Sequence, residues 1–290
     1  MTASEAWGHA AGLSFAAVIS VSFTLGGLMA DRIDPAALTA GRFLLAALVI
    51  GTFAAPYLEL RHLRGLWRYF LLGGLLAGYF ILMFEALRLT DPVSTGAIFT
   101  LTPLLSAVFA WLLLRQVTTR AMAASLLLAA AGALWVTFRG DLVALIGLEF
   151  GPGEWLFLTG CALHALYTPM VRRLNRGEPV IVLTFGTILG GCLAAASWGA
   201  PAILATDWSR LPGIVWLAFA YLGIMATALT FFLLQFAAMR LPASKAMAYG
   251  YLVPGFVILW EGLLGHGWVA MSVWAGVLAT VFALLLLLRS

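Results

Sequence analysis

ALRLTDPVSTGAIFTLTP, Ala86–Pro103, has a counterpart half a chain away in AAMRLPASKAMAYGYLVP, Ala237–Pro254. ALRL aligns with AMRL, a short loop containing Pro and Ser follows in each, and a proline then falls inside the next apolar run, at Pro103 and Pro254. The residue-by-residue match is weak and needs a one-residue gap. Its position is the stronger signal, because it joins the third and fourth apolar runs in one half and the eighth and ninth in the other.

Those runs dominate the chain. Of 290 residues, 63% are hydrophobic and 10% charged, whereas soluble domains carry about 25% charged residues. The mean hydropathy is +1.03. A formal charge of +4 invites a nucleic-acid reading. That reading needs basic residues gathered on a face or in a tail. Here they sit in short loops between apolar runs, so no nucleic-acid partner is expected. Crossing a bilayer core of about 30 Å takes roughly 20 helical residues. Ten runs meet that length, at roughly 8–30, 35–57, 67–88, 92–114, 119–138, 153–173, 179–200, 212–236, 243–263 and 268–288. They are continuously apolar rather than alternating, which excludes a barrel. The first run is too long for a signal-peptide core and is followed directly by others, so no cleavable leader is expected.

With the N-terminus in the cytoplasm, eleven Lys and Arg fall in cytoplasmic segments and four (Arg32, Arg88, Arg139, Arg210) on the opposite side, Arg42 lying within a run. The positive-inside rule then puts both termini in the cytoplasm. The expected architecture is an all-α membrane protein of ten helices, in two halves, 1–140 and 141–290. Five spans per half is an odd number, so the second half lies inverted. Inverted repeats are a frequent plan for transporters, with the substrate near the midplane and interrupted helices at the site. Pro103 and Pro254 are the expected kinks.

At this point the chain resembles the EamA type of the drug/metabolite transporter superfamily. The resemblance rests on GRFLLAAL at Gly41–Leu48, on ALRLTDPVSTGAIFTLTPLLSAVFAWLLL at Ala86–Leu114 and on the second copy around AMRLPASKAMAYGYLVP. It is nearest to the YddG-type exporters of aromatic amino acids. The resemblance implies two inverted five-helix repeats, a bacterial inner (cytoplasmic) membrane and export of small amphipathic metabolites. Two turns depart from the family pattern: Arg115-Gln116 replaces the acidic turn after the fourth helix, and Leu264-Gly265-His266-Gly267 follows the ninth.

Ionisable and polar residues within spans usually face a cavity or a partner. His164, in TGCALHALYTP (Thr159–Pro169), falls near the midplane. It reads either as a substrate contact or as a helix–helix hydrogen bond. Tyr167 shares its helix face. Tyr79 is surrounded by Gly73, Gly74 and Gly78. Phe99 precedes Pro103, and Tyr249 and Tyr251 precede Pro254; these rings read as a stacking surface or as ordinary packing. Ser22, with Ser20 and Thr24, would add hydrogen bonds. Arg42 and Glu85 both fall in the outer half, where they read as an ion pair or gate, or Glu85 as a proton carrier. His9 and Trp7 read as interfacial anchors, and Glu261 lies near an outer end.

The expected function is a secondary carrier exporting amino acids with aromatic or other apolar side chains, working by alternating access and able to act as a monomer. The rival is a broad-specificity efflux carrier for drugs and toxic cations. No cofactor is expected: Cys161 and Cys192 belong to no zinc-like spacing. HExxH and GxS-type nucleophile motifs are absent, which argues against an enzyme. No nucleotide-binding or filter loop is evident.

Overall fold

The computed structural model describes residues 2–27, 32–90, 92–148, 150–263 and 268–289. Among the described residues the chain is helical, with no strand. In order the helices are α1 (Ala3–Gly27), α2 (Pro35–Ala54), α3 (Trp67–Ala86), α4 (Pro92–Phe99), α5 (Thr102–Leu114), α6 (Arg120–Thr137), α7 (Leu142–Ile146), α8 (Pro152–Leu174), α9 (Val180–Ala205), α10 (Gly213–Gly223), α11 (Thr230–Ala238), α12 (Ala243–Ala248), α13 (Val253–Leu263) and α14 (Met271–Arg289). A π-helical turn, Ile224–Leu229, joins α10 to α11, and a 3₁₀ turn, Tyr249–Leu252, joins α12 to α13.

Local chemistry sets several of these ends. Asp34 caps α2 through Oδ1, accepting from the Ala36 and Ala37 N–H groups at 2.8 and 3.3 Å, with Pro35 as the first helical residue. Such a cap satisfies donors that the helix itself leaves unpaired. Thr119 does the same for α6 by accepting from Met122 N at 3.2 Å.

Among the described residues, six helical stretches are long and apolar enough to cross a bilayer: Pro35–Tyr57, Trp67–Ala86, Ser94–Leu114, Arg120–Thr137, Val180–Ala205 and Gly213–Ala238. The described parts of the remaining expected runs are largely helical but do not meet that measure. In α8 the apolar run is diluted by Glu154, His164, Thr168, Arg172 and Arg173.

The distribution of residues is that of a membrane protein. Leu48, Trp198 and Leu278 point outward, 63, 77 and 67% exposed, while Thr184, Thr187, Thr230 and Gln235 are fully buried. In water this arrangement would be unfavourable. In lipid it is required, because polar groups there find partners only inside the protein.

The helices pair in a regular way. α2 lies against α9, and α6 against α14. α3 packs on α8 and α9; α1 and α2 pack correspondingly on the α10–α11 segment. α4 and α5 pack on α8, as α12 and α13 do on α1. Exchanging the two halves carries this pattern onto itself.

The closest approach is between α3 and α9. At Gly73 a β-carbon would collide with Gly191 N and the Thr187 carbonyl, whereas at Gly74 it would meet nothing within 4 Å. Small residues allow such backbone contact between membrane helices. At the start of α3, Arg68 forms a buried ion pair with Glu178 of the α8–α9 loop, Nη1 to Oε1 at 2.7 Å. Arg68 Nη1 also donates to the Leu174 carbonyl at 2.5 Å, and Glu178 Oε2 accepts from Arg176 N at 2.7 Å. Burial pushes the Glu178 carboxyl up, but the backbone N–H donors and Arg68 outweigh it and hold it below the usual carboxylate range.

Two outcomes follow. Gly73→Ala lowers the melting temperature in detergent, while Gly74→Ala leaves it unchanged. Glu178→Ala leaves Arg68 buried and uncompensated, a loss of about 3–5 kcal/mol. Because the folded pKa of Glu178 is depressed, its contribution is complete above the ordinary value of about 4.3 and is lost as pH falls through the folded pKa. Melting the wild type and Glu178→Gln between neutral and acid pH checks this; the gap between them closes on acidification.

Candidate functional site

The structure gathers a row of stacked rings where α3, α4 and α8 meet. His164, 5% exposed, lies in the middle turns of α8. The Tyr79 ring of α3 stacks on it, centroids 4.5 Å apart and planes at 20°. On the same imidazole stacks Phe99, the last residue of α4, at 6.0 Å and 26°. Phe157, two turns earlier on α8, lies 6.4 Å from Tyr79. From Tyr79 the row continues to Phe80 at 4.9 Å. Offset contacts of this kind hold ring orientation as well as burying area.

Arg42 closes the row. Its guanidinium carbon lies 4.1 Å above the Phe80 ring. Nε donates to Thr227 Oγ1 at 2.8 Å and Nη2 to the Ala226 carbonyl at 3.1 Å. Both partners belong to the π-turn between α10 and α11. A π-turn frees a carbonyl from the regular ladder, and such turns recur at functional sites. The side chain is 2% exposed, and among the described residues no carboxylate faces it. The expected pair with Glu85 is therefore corrected. Glu85 lies at the end of α3, half-buried, and pairs with Arg88 at 3.2 Å. The i, i+3 spacing brings those two side chains together, both partly exposed.

Tyr167 is fully buried beside the row, in a different set of bonds. Gln235 Nε2 of α11 donates to Tyr167 Oη at 2.7 Å and to Thr187 Oγ1 at 3.0 Å. Gln235 Oε1 accepts from Thr184 Oγ1 at 2.7 Å. Gln235 was not among the expected residues, although an amide inside FFLLQFAA was a visible signal. Phe80, Thr187 and Thr227 were missed because nothing in their local sequence distinguishes them from packing residues.

The two interrupted helices face each other. The α4–α5 helix breaks between Phe99 and Thr102, with Pro103 the second residue of α5. The α12–α13 helix breaks over Tyr249–Leu252, with Pro254 the second residue of α13. A β-carbon on Gly250 would lie 3.3 Å from the Phe99 ring, so one break abuts the other. The tight turn sends its two tyrosines apart. Tyr249 Oη bonds His9 Nδ1 of α1 at 2.7 Å, which makes His9 a partner of the core rather than only an interfacial anchor. Tyr251 packs among Met122, Leu126 and Ala129 of α6 and Ala283 and Leu284 of α14. It is not part of the His164 row, a correction to its expected place. The side chains of Ser22, Thr24 and Glu261 and the turn at 264–267 lie outside the described residues. No group of three or more His, Cys, Asp or Glu able to hold a metal occurs among the described residues.

Gln235→Leu strands two buried groups, the Tyr167 hydroxyl and the Thr187 hydroxyl. Each unpaired group costs about 1–3 kcal/mol. The variant melts several degrees below wild type, and Tyr167→Phe in the same background recovers part of the loss; a thermal-shift series measures both.

The arrangement resembles that of known proteins across the whole chain. The family model for EamA-like transporters matches twice, over residues 6–138 and 151–289. An uncharacterized transporter of Bacillus subtilis (strain 168), YyaM, is 26% identical over 250 residues, 83% of this chain and 81% of that protein. A second from the same organism, YcxC, also an uncharacterized transporter, is 28% identical over 182 residues, 58% of this chain and 57% of that one. A solved crystal structure shares the fold with a TM-score of 0.78 at 22% identity, over 99% of this chain and 97% of the other. A helical chain with an apolar exterior, a polar and aromatic interior and two successive matches of this kind is a multi-pass membrane protein that belongs to the EamA-like transporter family.

Proposed function

We propose that the protein is an alternating-access carrier that exports amino acids with aromatic or other apolar side chains. The observation that carries this reading is Arg42: a buried guanidinium with no carboxylate partner among the described residues, set against a row of rings that ends at His164. A cation buried without a counter-ion is expensive. A substrate carboxylate would supply the missing charge, and Phe80, Tyr79 and Phe99 would flank an apolar side chain. The imidazole edge would offer the substrate amine an acceptor. The rival substrate class, hydrophobic cations, is disfavoured by the same charge, and Glu85, its one acidic candidate, is engaged by Arg88.

Ten helices span the bilayer in this reading, in two inverted halves, 1–140 and 141–290, with both termini in the cytoplasm of a bacterium. The pairing pattern that maps onto itself when the halves are exchanged supports the division. The breaks ahead of Pro103 and Pro254 act as hinges. Proline removes a backbone hydrogen bond and clashes with the preceding turn, so bending there disrupts fewer bonds than elsewhere. Small substrates and the lipid bilayer are the only partners required, and a single chain suffices. Export, rather than import, rests on the likeness to aromatic amino acid exporters.

The test is flux of labelled Phe, Trp, Leu, Met, Lys and Glu in proteoliposomes of the purified protein. Saturable flux of Phe, Trp, Leu and Met is expected, inhibited by 3-phenylpropionate more than by phenethylamine. Arg42→Gln lowers that flux at least about tenfold, the scale of one charge-assisted hydrogen bond of about 1.5–3 kcal/mol. Phenethylamine competing better than phenylpropionate would overturn the carboxylate reading even if the variant failed to fold.

A further inference from the structure

Most hydroxyls in these helices bond to their own backbone. Thr39 donates to the Pro35 carbonyl at 2.7 Å, Ser125 to Ala121 at 2.9 Å, Thr184 to Val180 at 2.8 Å and Thr280 to Gly276 at 2.9 Å. This is the default for Ser and Thr in a membrane helix, where water is absent. Among the described residues, Thr102 and Ser106 on α5, Thr168 on α8 and Tyr251 in the turn between α12 and α13 carry buried hydroxyls with no hydrogen-bond partner, the first three being 1, 0 and 0% exposed. His164 Nδ1 is likewise buried and unpartnered.

Four of these atoms lie together, while Tyr251 is set apart among α6 and α14. Thr102 and Ser106 are four residues apart and share a face of α5; His164 and Thr168 do the same on α8. α5 packs directly on α8. The Cys161 thiol, on the turn before His164, lies beside Thr102 Oγ1 without reaching hydrogen-bond geometry, which sets the two faces against each other. Pro169 follows Thr168 inside α8, and its missing N–H leaves the Ala165 carbonyl without its helical donor. A buried polar atom without a partner costs about 1–3 kcal/mol. A set of them on facing helices therefore marks a polar guest.

Donors and acceptors left unpaired on both sides of one helix seam call for a partner that both donates and accepts, and water is the smallest such partner. We propose that the α5–α8 seam holds a file of ordered water along Thr102, Ser106 and Thr168 up to His164, and that protons reach the imidazole along it. With Nε2 protonated, Nδ1 carries the lone pair; a proton arriving through the file adds there to give imidazolium, and leaves by the same route, with water as the only other reactant. The Tyr79 phenol of α3 and the Cys161 thiol of α8 itself are the titratable groups set against the imidazole. α4 contributes Phe99, α5 Thr102 and Ser106, and α11 the neutral Gln235 through Tyr167. Lys245 of α12 lies in the field of Glu5 and His9, and among the described residues no charged group acts on His164. The inference does not depend on what is transported.

Radiolytic hydroxyl labelling of the protein in lipid nanodiscs, read by mass spectrometry, tests the water. The two cysteines provide the comparison, for Cys161 is 0% exposed and Cys192 is 9% exposed. A dry interior oxidises Cys192 faster. A hydrated seam oxidises Cys161 at least about threefold faster, and Thr102→Val/Ser106→Ala/Thr168→Val brings it down to the Cys192 level. Cys161 at or below Cys192 in the wild type overturns the proposal without any variant. Deuterium exchange at the His164 Cε1 hydrogen tests the proton. Exchange that rises sigmoidally with pH, and slows at least about fivefold in the triple variant, supports the route. Flat, slow exchange alongside a labelled seam overturns the proton role.

Discussion

Every polar group that this chain carries into the bilayer must find its partner inside the protein, and the architecture follows from that constraint. It explains why most hydroxyls fold back onto carbonyls one turn away. It explains why Gln235 spends both ends of its amide on Tyr167, Thr187 and Thr184. The same constraint draws the π-turn to Arg42, whose guanidinium takes both a hydroxyl and a carbonyl from that turn. The apolar residues are distributed around these bonds. Outside they meet lipid; inside they separate one polar group from the next, so each bond forms in a medium where it is strong and where its loss is expensive.

Much of this was legible in the sequence, and for identifiable reasons. Helices of about 20 apolar residues leave a signal that composition alone carries. A proline after a loop of fixed form marks a broken helix, and both breaks lie immediately ahead of Pro103 and Pro254. His164 stood out because no charged residue lies within several positions of it. What failed were statements about pairs. Arg42 and Glu85 looked like partners because both fall at a similar depth, yet depth fixes one coordinate of three. Glu85 found Arg88 one turn away; Arg42 found α10–α11. Tyr249 and Tyr251 sit two residues apart and were grouped, but in a tight turn two residues apart means opposite sides. Arg68 and Glu178 lie far apart in the chain and nothing local pairs them, yet they form a buried ion pair.

The two halves share a plan of helix pairing and differ in polar content. The contact between α2 and the α10–α11 segment carries a cation, a hydroxyl and a freed carbonyl; the corresponding contact between α3 and α9 carries glycines at touching distance. One is held by charge and directionality, the other by shape. In the alternating-access reading proposed above, a rocking motion about such a pair of seams has no reason to be symmetric. The glycine contact can slide with little electrostatic penalty, whereas moving Arg42 means exchanging one set of acceptors for another.

The π-turn at Ile224–Leu229 has a consequence for everything downstream of it. Such a turn holds one more residue than an α-helical turn, and each α-helical residue advances the chain about 100° around the axis. Without the extra residue, α11 would be rotated by that angle relative to α10. Gln235 would then point away from Tyr167 and Thr187, and a different side chain would occupy its place. The polar bonds of α11 are thus in phase with those of α10 only because the helix between them miscounts by one. Any relative in which this segment is shorter by a single residue can keep every helix and every hydrophobic face of the fold, and still present an unrelated interior.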